Sequence, residues 1–217
     1  MSSKMVDILA VYRRGMRERR FTFVRHASTV YNDFHLLNGD PSVPVALDAG
    51  GRVAATALGA RLRHCRFDLA LHTRFSRTHE TLMLMLGRRH DVPVAVEPAF
   101  DDIAVGIFEG RDVNAYRAWR AEHGPEEAVP GGESRLDALA RYADGCARVL
   151  ARRDARCVLL VVHDVPIRFL HNALLAADPL EGPVRTVANL ERLSVGEPQL
   201  AAGLAVMRRR LSGLPPV

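Results

Sequence analysis

The feature that most restricts the fold is the segment Cys157–Val162, six consecutive apolar residues followed at once by His163. A strand with one exposed face alternates apolar and polar residues, whereas a continuous apolar run is typical of a strand buried on both faces of a sheet. Such strands belong to parallel sheets, whose crossover connections are usually helices. The segment therefore predicts an α/β fold, in which ligands bind beyond the carboxyl ends of the strands.

Strand-like and helix-like patterns alternate along the rest of the chain. Predicted strands occupy residues 21–25, 68–72, 92–96 and 157–162, with weaker strands at 190–195 and 204–207. Predicted helices occupy residues 48–63, 76–86, 113–122, 134–153 and 165–176. Pro93 lacks the N–H that a central strand donates, so its strand is expected at an edge. The alternation predicts a three-layer α/β/α architecture with a mostly parallel central sheet, in a single domain over residues 21–217.

The positive charge is concentrated at the N-terminus. The chain has a formal net charge of +5 and a pI near 9.6, but residues 1–20 alone hold six basic and two acidic residues. From Phe21 onward 24 basic residues face 23 acidic ones, so a nucleic-acid-binding face is not expected. Residues 1–20 are instead predicted to be a basic, flexible extension.

Cysteine usage and hydropathy predict a soluble cytoplasmic protein. The three cysteines show no paired spacing, and no apolar run approaches the roughly 20 residues that span a bilayer. The nine histidines are scattered, without a His-Glu-x-x-His or Cys-x-x-Cys pattern, so no metal or cofactor site is predicted. The sequence leaves the oligomeric state open, with a homodimer as one option.

Arg25 and His26 stand side by side where the first predicted strand ends. Backbone N–H groups at such a point can face an anion. A neutral imidazole can attack phosphorus, and neighbouring cations favour the neutral form. Considered alone, the pair is more typical of polar residues that satisfy a strand terminus.

Two further strand ends carry residues suited to phosphate. Arg77 is predicted near the start of the helix after the second strand, where its planar guanidinium can grip two phosphate oxygens. His163 can hold the equatorial oxygens as charge redistributes during transfer. Carboxyl groups in the stretch 100–110, when protonated, can give a proton to a leaving alkoxide. Considered singly, Arg77 is also typical of a surface residue, and His163 of a hydrogen-bonded histidine at a strand end.

In this order and spacing the motifs resemble those of the histidine phosphatase superfamily, which includes the cofactor-dependent phosphoglycerate mutases. The resemblance runs from about residue 21 to residue 195. The matching motifs are Arg25-His26-Ala27 with Thr29 and Asn32, the stretch ending at Arg77 and Thr81, Gly-Ile-Phe-Glu-Gly at 106–110, Gly-Gly-Glu-Ser at 131–134, and His163.

The resemblance implies a phosphoglycerate mutase-like fold and a hydrolase that acts on a small-molecule phosphomonoester without a metal. A phosphohistidine would form on His26, and water would discharge it in a second step. Arg25, Arg77 and His163 would hold the phosphate.

Several positions depart from the family pattern or allow two interpretations. Ala27 replaces the family's glycine, which fits if the backbone there is not left-handed. The acid/base glutamate of the family falls on Asp102, one methylene shorter, and Asp102 is the predicted proton donor. Asp164, directly after the second histidine, resembles the donor of the acid phosphatase branch and is the alternative. Asn32 and Asn38 would lie at the pocket edge, or would serve ordinary turn chemistry.

Two rival functions are a phosphoglycerate mutase and a non-catalytic phosphate-binding module. The mutases have a longer chain and Gly-Glu-Ser-x-Trp-Asn in the first motif, whereas residues 27–32 here are Ala-Ser-Thr-Val-Tyr-Asn. The presence of all four phosphate-pocket residues argues against a module without turnover. Loops at 32–47 and 110–132 are expected to select the substrate, and Phe108, Tyr116 and Trp119 are either pocket or core residues.

Overall fold

The computed structural model describes residues 18–214. The strands are β1 (Arg20–Arg25), β2 (Leu69–His72), β3 (Val94–Val96), β4 (Cys157–Val162) and β5 (Arg192–Gly196). The helices are α1 (Val30–Asp33), α2 (Ala49–Arg61), α3 (Ser76–Leu86), α4 (Val113–Glu122), α5 (Arg135–Ala151), α6 (Asp164–Leu174) and α7 (Glu197–Leu211). Short 3-10 helices at Pro98–Phe100 and Gly106–Phe108 lie between β3 and α4.

The five strands form one sheet in the order β3-β2-β4-β1-β5. All neighbours pair in parallel except β1 and β5, which are antiparallel. The predicted edge position after Pro93 is confirmed, because β3 begins at the next residue and pairs only with β2. The sheet order places the apolar run of β4 at the centre, as its composition predicts.

Alternate residues of the central strands supply two separate apolar layers. In β4, Val158, Leu160 and Val162 pack with α5, α6 and α7, whereas Leu159 and Val161 pack with α2 and α3. All five side chains are at most 1% exposed. Helices therefore cover both faces of the sheet, which confirms the predicted three-layer α/β/α fold.

The strand predicted at 204–207 is wrong, because these residues lie within α7. The buried residues Leu200, Gly203, Leu204 and Met207 recur at spacings of three and four, which is the period of a helix face. Residues 204–207 are four consecutive apolar residues, which resemble a strand when they are considered without the neighbouring turns of the helix.

The predicted basic extension 1–20 falls mainly on residues 1–17, which lie outside the described residues. Arg20 is the first residue of β1, and the Arg19 side chain is buried. Arg19 donates to the backbone oxygens of Val149, Leu150 and Arg152, at the end of α5. Such bonds satisfy carbonyls that have no partner within their own helix. None of the helices within residues 18–214 combines the length and the apolar character needed to cross a membrane.

Candidate active site

Polar residues that follow three strands of the sheet lie together at its carboxyl edge. His26 follows β1, Arg77 lies in the first turn of α3 after β2, and His163 follows β4. All three are buried, with exposed fractions of 4%, 4% and 0%. The rings of His26 and His163 lie 5.4 Å apart between centroids. The carboxyl edge of the parallel sheet thus brings together residues that are far apart in sequence.

Arg77 connects the groups of this site. Its Nε donates to His26 Nε2 at 3.1 Å, and its Nη2 lies 3.0 Å from His163 Nδ1 and 3.0 Å from Asp102 Oδ2. The remaining contacts go to the Asn38 side chain and to the Asn38 backbone oxygen. Burial lowers the pKa of Arg77 and the Asp102 carboxylate opposes that shift, but a guanidinium stays protonated in proteins.

The hydrogen bonds of His26 identify its tautomer. Nδ1 lies 2.8 Å from the backbone oxygen of Ala27, which can only accept, so Nδ1 carries the proton. Nε2 accepts from Arg77 and therefore presents a lone pair. Burial, followed by the charges of Arg77 and Arg25, holds the pKa of His26 well below 6.5. His26 is therefore a neutral imidazole at physiological pH, the form that can act as a nucleophile.

His163 is likewise neutral. Nδ1 accepts from Arg77, and Nε2 lies 2.9 Å from the hydroxyl of Thr73. Burial, followed by the charge of Arg77, holds the pKa of His163 well below 6.5. A bound phosphate would oppose these shifts, because negative charge favours the protonated imidazole.

Arg25 and the backbone of His26 are held from the segment before β5. The Arg25 Nη1 donates to the Val187 oxygen at 2.5 Å, and Asn189 Nδ2 donates to the His26 oxygen at 2.9 Å. The Nε of Arg25 is buried without a hydrogen-bond partner. A guanidinium with an unpaired buried N–H is well suited to an anionic ligand.

Ala27 has an ordinary backbone conformation, which explains why it replaces glycine without strain. It is not among the residues with positive φ within the described chain. Its side chain is fully buried, and its N–H donates to the hydroxyl of Thr81 at 3.0 Å. The backbone at Ala27 is therefore not left-handed, which is the condition under which alanine can replace the glycine.

Asp102 reaches the site from the loop after β3. Its Oδ2 lies 3.0 Å from Arg77 Nη2 and 3.5 Å from His163 Nδ1. Burial raises the pKa of this carboxyl, while Arg77 and the N–H of Ile103 oppose the rise. Arg141 of α5 supports the loop by donating to the Asp102 backbone oxygen at 3.2 Å.

Glu133 holds the same loop from the Gly-Gly-Glu-Ser motif. Its carboxylate accepts from the N–H of Ala104 at 3.0 Å and pairs with Arg141. The glycines of the motif are needed for close approach, since a Cβ on Gly132 would lie 2.4 Å from the Ala104 oxygen. Glu133 itself does not line the pocket, so its structural role is to support the Asp102 loop.

Asp164 occupies a different position from Asp102, although both carboxylates line the pocket. Its Oδ1 accepts from the N–H of Val187 at 2.6 Å, and its Oδ2 lies 3.6 Å from an Arg168 nitrogen. Asp164 thus connects α6 to the segment that also holds Arg25.

Asn32 and Asn38 combine the two roles that the sequence left open. Both line the pocket. The Asn32 side-chain oxygen accepts from Thr29 at the start of α1, which is helix-capping chemistry. Asn38 donates to Glu109 at 2.8 Å and to loop carbonyls, while its side-chain oxygen accepts from Arg77.

Sequence reasoning did not identify several residues that hold the site. Glu109 was a candidate only as one of several carboxylates, yet it accepts from Asn38 and from the N–H groups of Gly39 and Asp40, and so orients the asparagine that binds Arg77. Its position in the Gly-x-x-Glu-Gly motif was the available signal. Thr73 and Asn189 gave no signal, because lone polar residues of these types occur throughout the chain.

The site opens into a cavity of about 280 Å³. The predicted loop 32–47 lines the cavity through residues between 32 and 45. The predicted loop 110–132 lines it only through residues of α4. A third wall, from the start of α6 and from residues 185–186, was not predicted. Tyr116 lines the cavity and is also part of the apolar core, whereas Phe108 and Trp119 pack in the core alone. Within residues 18–214, no group of three or more His, Cys, Asp or Glu side chains is placed to hold a metal ion.

Comparisons with a family model, with curated proteins and with solved structures all find phosphatases or a phosphoglycerate mutase. A family model described as the histidine phosphatase superfamily (branch 1) matches residues 21–197. A 2,3-bisphosphoglycerate-dependent phosphoglycerate mutase of Beijerinckia indica is 26% identical over 194 residues, which cover 83% of this chain and 90% of the relative. A broad-specificity phosphatase of Saccharomyces cerevisiae is 24% identical over 159 residues, covering 70% of this chain and 68% of the relative. The solved structure of a mycobacterial glucosyl-3-phosphoglycerate phosphatase with VO3 aligns with a TM-score of 0.66 and 27% identity, over 81% of this chain and 92% of that one.

Proposed function

The chain belongs to the histidine phosphatase superfamily (branch 1), and on that premise we propose that it hydrolyses small-molecule phosphomonoesters through a phosphohistidine on His26. The observation that carries the proposal is the fixed tautomer of His26. Nδ1–H is held by the Ala27 oxygen, so the lone pair of Nε2 lies beside the guanidinium of Arg77. An anionic phosphate drawn to that guanidinium arrives next to the nucleophilic nitrogen.

In the first step, Nε2 of His26 forms a bond to phosphorus as the ester P–O bond breaks. The leaving oxygen takes a proton, which we assign to Asp102. In the second step water attacks phosphorus, the N–P bond breaks, and the proton from water returns to Asp102. The cycle releases an alcohol and inorganic phosphate and restores the neutral imidazole and the acid.

Arg25, Arg77 and His163 form the phosphate clamp in this proposal. The guanidinium groups supply positive charge that matches the equatorial oxygens, and His163 protonates as that negative charge enters the pocket. We propose that the reaction needs no metal, because these side chains provide the charge stabilisation that a bound cation would otherwise supply. Asn32 lies at the edge of the same pocket, where its amide can donate to the substrate.

Asp102 is favoured over Asp164 as the proton donor for two reasons. Burial already raises the pKa of Asp102, and a bound phosphate dianion would raise it further. The Asp164 carboxylate, in contrast, is used by the Val187 N–H and Arg168. Asp102 also lies among the clamp residues, since its Oδ2 is 3.0 Å from Arg77 Nη2 and 3.5 Å from His163 Nδ1.

The test measures phosphate release from a panel of phosphomonoesters in the presence of EDTA. The wild type should turn over, vanadate should inhibit, and a phosphoenzyme quenched in base should survive but break down in acid. His26→Ala should remove turnover, whereas the exposed His90→Ala should not. Activity in His26→Ala above about a thousandth of wild type would falsify the nucleophile assignment.

The same assay separates the rival functions. A phosphoglycerate mutase would interconvert the phosphoglycerates in the presence of 2,3-bisphosphoglycerate with little release of phosphate. A binding module would bind phosphate and vanadate but release nothing from any ester. Restoration of activity by a divalent metal after EDTA treatment would contradict the metal-free mechanism.

A further inference from the structure

The cavity beyond the phosphate clamp carries an excess of positive charge. Among the residues that line it, two are carboxylates and six are arginines. The arginines are Arg25, Arg77, Arg117, Arg120, Arg168 and Arg185. Two of them belong to the clamp, and the other four come from α4, α6 and the segment before β5. The chain therefore places cations from three separate elements around one cavity.

Arg120 and Arg168 are the least compensated of these cations. The Arg120 side chain is partly buried and makes no hydrogen bond or ion pair with any of the described residues. Arg168 lies 3.6 Å from Asp164, and its Nη1 donates to the Arg185 oxygen at 2.8 Å, but its Nε is buried without a partner. Arg120 therefore adds to the cavity a positive charge that no carboxylate of the described residues pairs with, and Arg168 is paired only at 3.6 Å.

The nearby acidic residues do not balance the cluster. Glu181 pairs with both Arg135 and Arg185. Burial, followed by the charges of Arg168 and Arg135, lowers the pKa of Arg120, and the opposing effect of Glu181 is smaller. Repulsion among guanidinium groups is relieved when an anion binds between them.

Helix geometry places this cluster at a distance from the clamp. Arg168 is one turn beyond Asp164 on α6, which corresponds to about 6 Å along the helix axis. Tyr116 and Arg120 share a face of α4 because they are four residues apart. Charges of Arg120 and Arg168 also act on the Tyr116 hydroxyl, whose pKa is raised mainly by burial. Tyr116 lines the same cavity as Arg120 and Arg168, so its phenol is a further polar group of this part of the site.

We propose that Arg120 and Arg168 form a second anion subsite, so that this enzyme selects phosphomonoesters with another anionic group several ångströms from the phosphate that is removed. The inference rests on the proposed hydrolysis at His26. Carboxylate and phosphate share the chemistry that this subsite recognises. Charge-assisted hydrogen bonds of this kind predict a selectivity of roughly ten- to a hundredfold.

The test compares three esters with the same carbon chain: sorbitol 6-phosphate, 6-phosphogluconate and sorbitol 1,6-bisphosphate. The first has no second charge, and the others add a carboxylate or a phosphate at the far end. In the wild type, kcat/KM should be at least tenfold higher for one or both charged esters. Arg120→Gln should reduce that ratio at least threefold, and Arg120→Gln with Arg168→Gln should bring it close to one.

Two controls make the result specific. Arg61→Gln removes an exposed charge from α2 on the other face of the sheet and should leave the ratio unchanged. The second control is internal to Arg120→Gln, since the ratio of kcat/KM between charged and uncharged esters cancels any general loss of activity in that variant. This single variant keeps the Asp164 and Arg185 contacts of Arg168, so it tests the subsite even if the double variant does not fold.

Failure of this inference and failure of the proposed function give different results. Equal kcat/KM for all three esters in an active wild type would overturn the subsite and leave hydrolysis intact. If no ester is hydrolysed, calorimetric titration of the three esters into the His26→Ala variant still decides the matter. Preferential binding of a charged ester that Arg120→Gln removes would support the subsite, and equal dissociation constants would overturn it.

Discussion

Replacement of Asp102 by asparagine should separate the proton donor from the phosphate clamp. Asn keeps the shape of the side chain and can still accept from Arg77 Nη2, which lies 3.0 Å from Asp102 Oδ2. It cannot supply the acidic proton that a leaving alkoxide requires. The substitution therefore removes acid catalysis and preserves most of the geometry of the site.

The size of the effect follows from the leaving group. General acid catalysis contributes about 10²- to 10⁴-fold, so Asp102→Asn should lower kcat/KM by at least a hundredfold on an alkyl phosphate. On an aryl phosphate with a good leaving group, which needs little protonation, the loss should stay within about tenfold. We therefore expect the alkyl-to-aryl ratio of kcat/KM to fall by at least tenfold.

The matched control is Asp164→Asn. Its carbonyl can still accept the Val187 N–H that Asp164 binds at 2.6 Å, so only the charge beside Arg168 is lost. We expect a loss that is similar on both esters. The assay is phosphate release at low substrate concentration, where kcat/KM reports steps through the first phosphoryl transfer. Selective loss on the alkyl ester in Asp164→Asn, and not in Asp102→Asn, would refute the reasoning.

Three further predictions test the surrounding structure. Arg77→Ala should reduce kcat/KM by about 10²- to 10³-fold, measured against the wild type by phosphate release, and a loss below tenfold would exclude Arg77 from the clamp. The pKa of His26 and of His163 is held below 6.5 in the folded protein. As the pH falls below that value, these histidines are protonated in the unfolded chain before they are protonated in the folded one, which favours unfolding. The equilibrium constant for folding, measured by urea titration, should then fall by up to about tenfold per pH unit for each histidine. His163→Gln should make this dependence on pH shallower, and an unchanged dependence would contradict the prediction. A Cβ on Gly39 would lie 2.4 Å from the Ile103 oxygen. Gly39→Ala should therefore lower the free energy of unfolding by roughly 1 to 3 kcal/mol and reduce activity. If the variant is as stable in urea as the wild type, the two loops can separate without cost and the reasoning is wrong.

Local sequence was sufficient to predict the architecture. The continuous apolar run of β4 requires burial on both faces, and the proline before β3 excludes a central position, because each effect acts within one segment. The same holds for the placement of His26, Arg77 and His163 at strand ends. The strand predicted at 204–207 is wrong, since its helical period becomes visible over a longer window. The predicted extension 1–20 also ends too late, since Arg19 is buried and Arg20 begins β1.

The chemistry of the site depended on contacts between distant segments. The lone pair on His26 Nε2 follows from the Ala27 oxygen and from Arg77, and the different positions of Asp102 and Asp164 follow from how two loops pack. No local pattern encodes these relations, because a pKa and a hydrogen bond depend on the groups that folding brings near.

The sequence by itself determined the α/β class and the central strand, and it supplied the residues that we propose to bind phosphate, since strand burial and side-chain chemistry are properties of short segments. Tertiary structure alone decided which carboxylate lies beside Arg77, how Glu109 orients Asn38, and that Arg120 and Arg168 line the same cavity. Those outcomes depend on distances between elements, and such distances are set by the packing of the whole core on the two faces of the sheet.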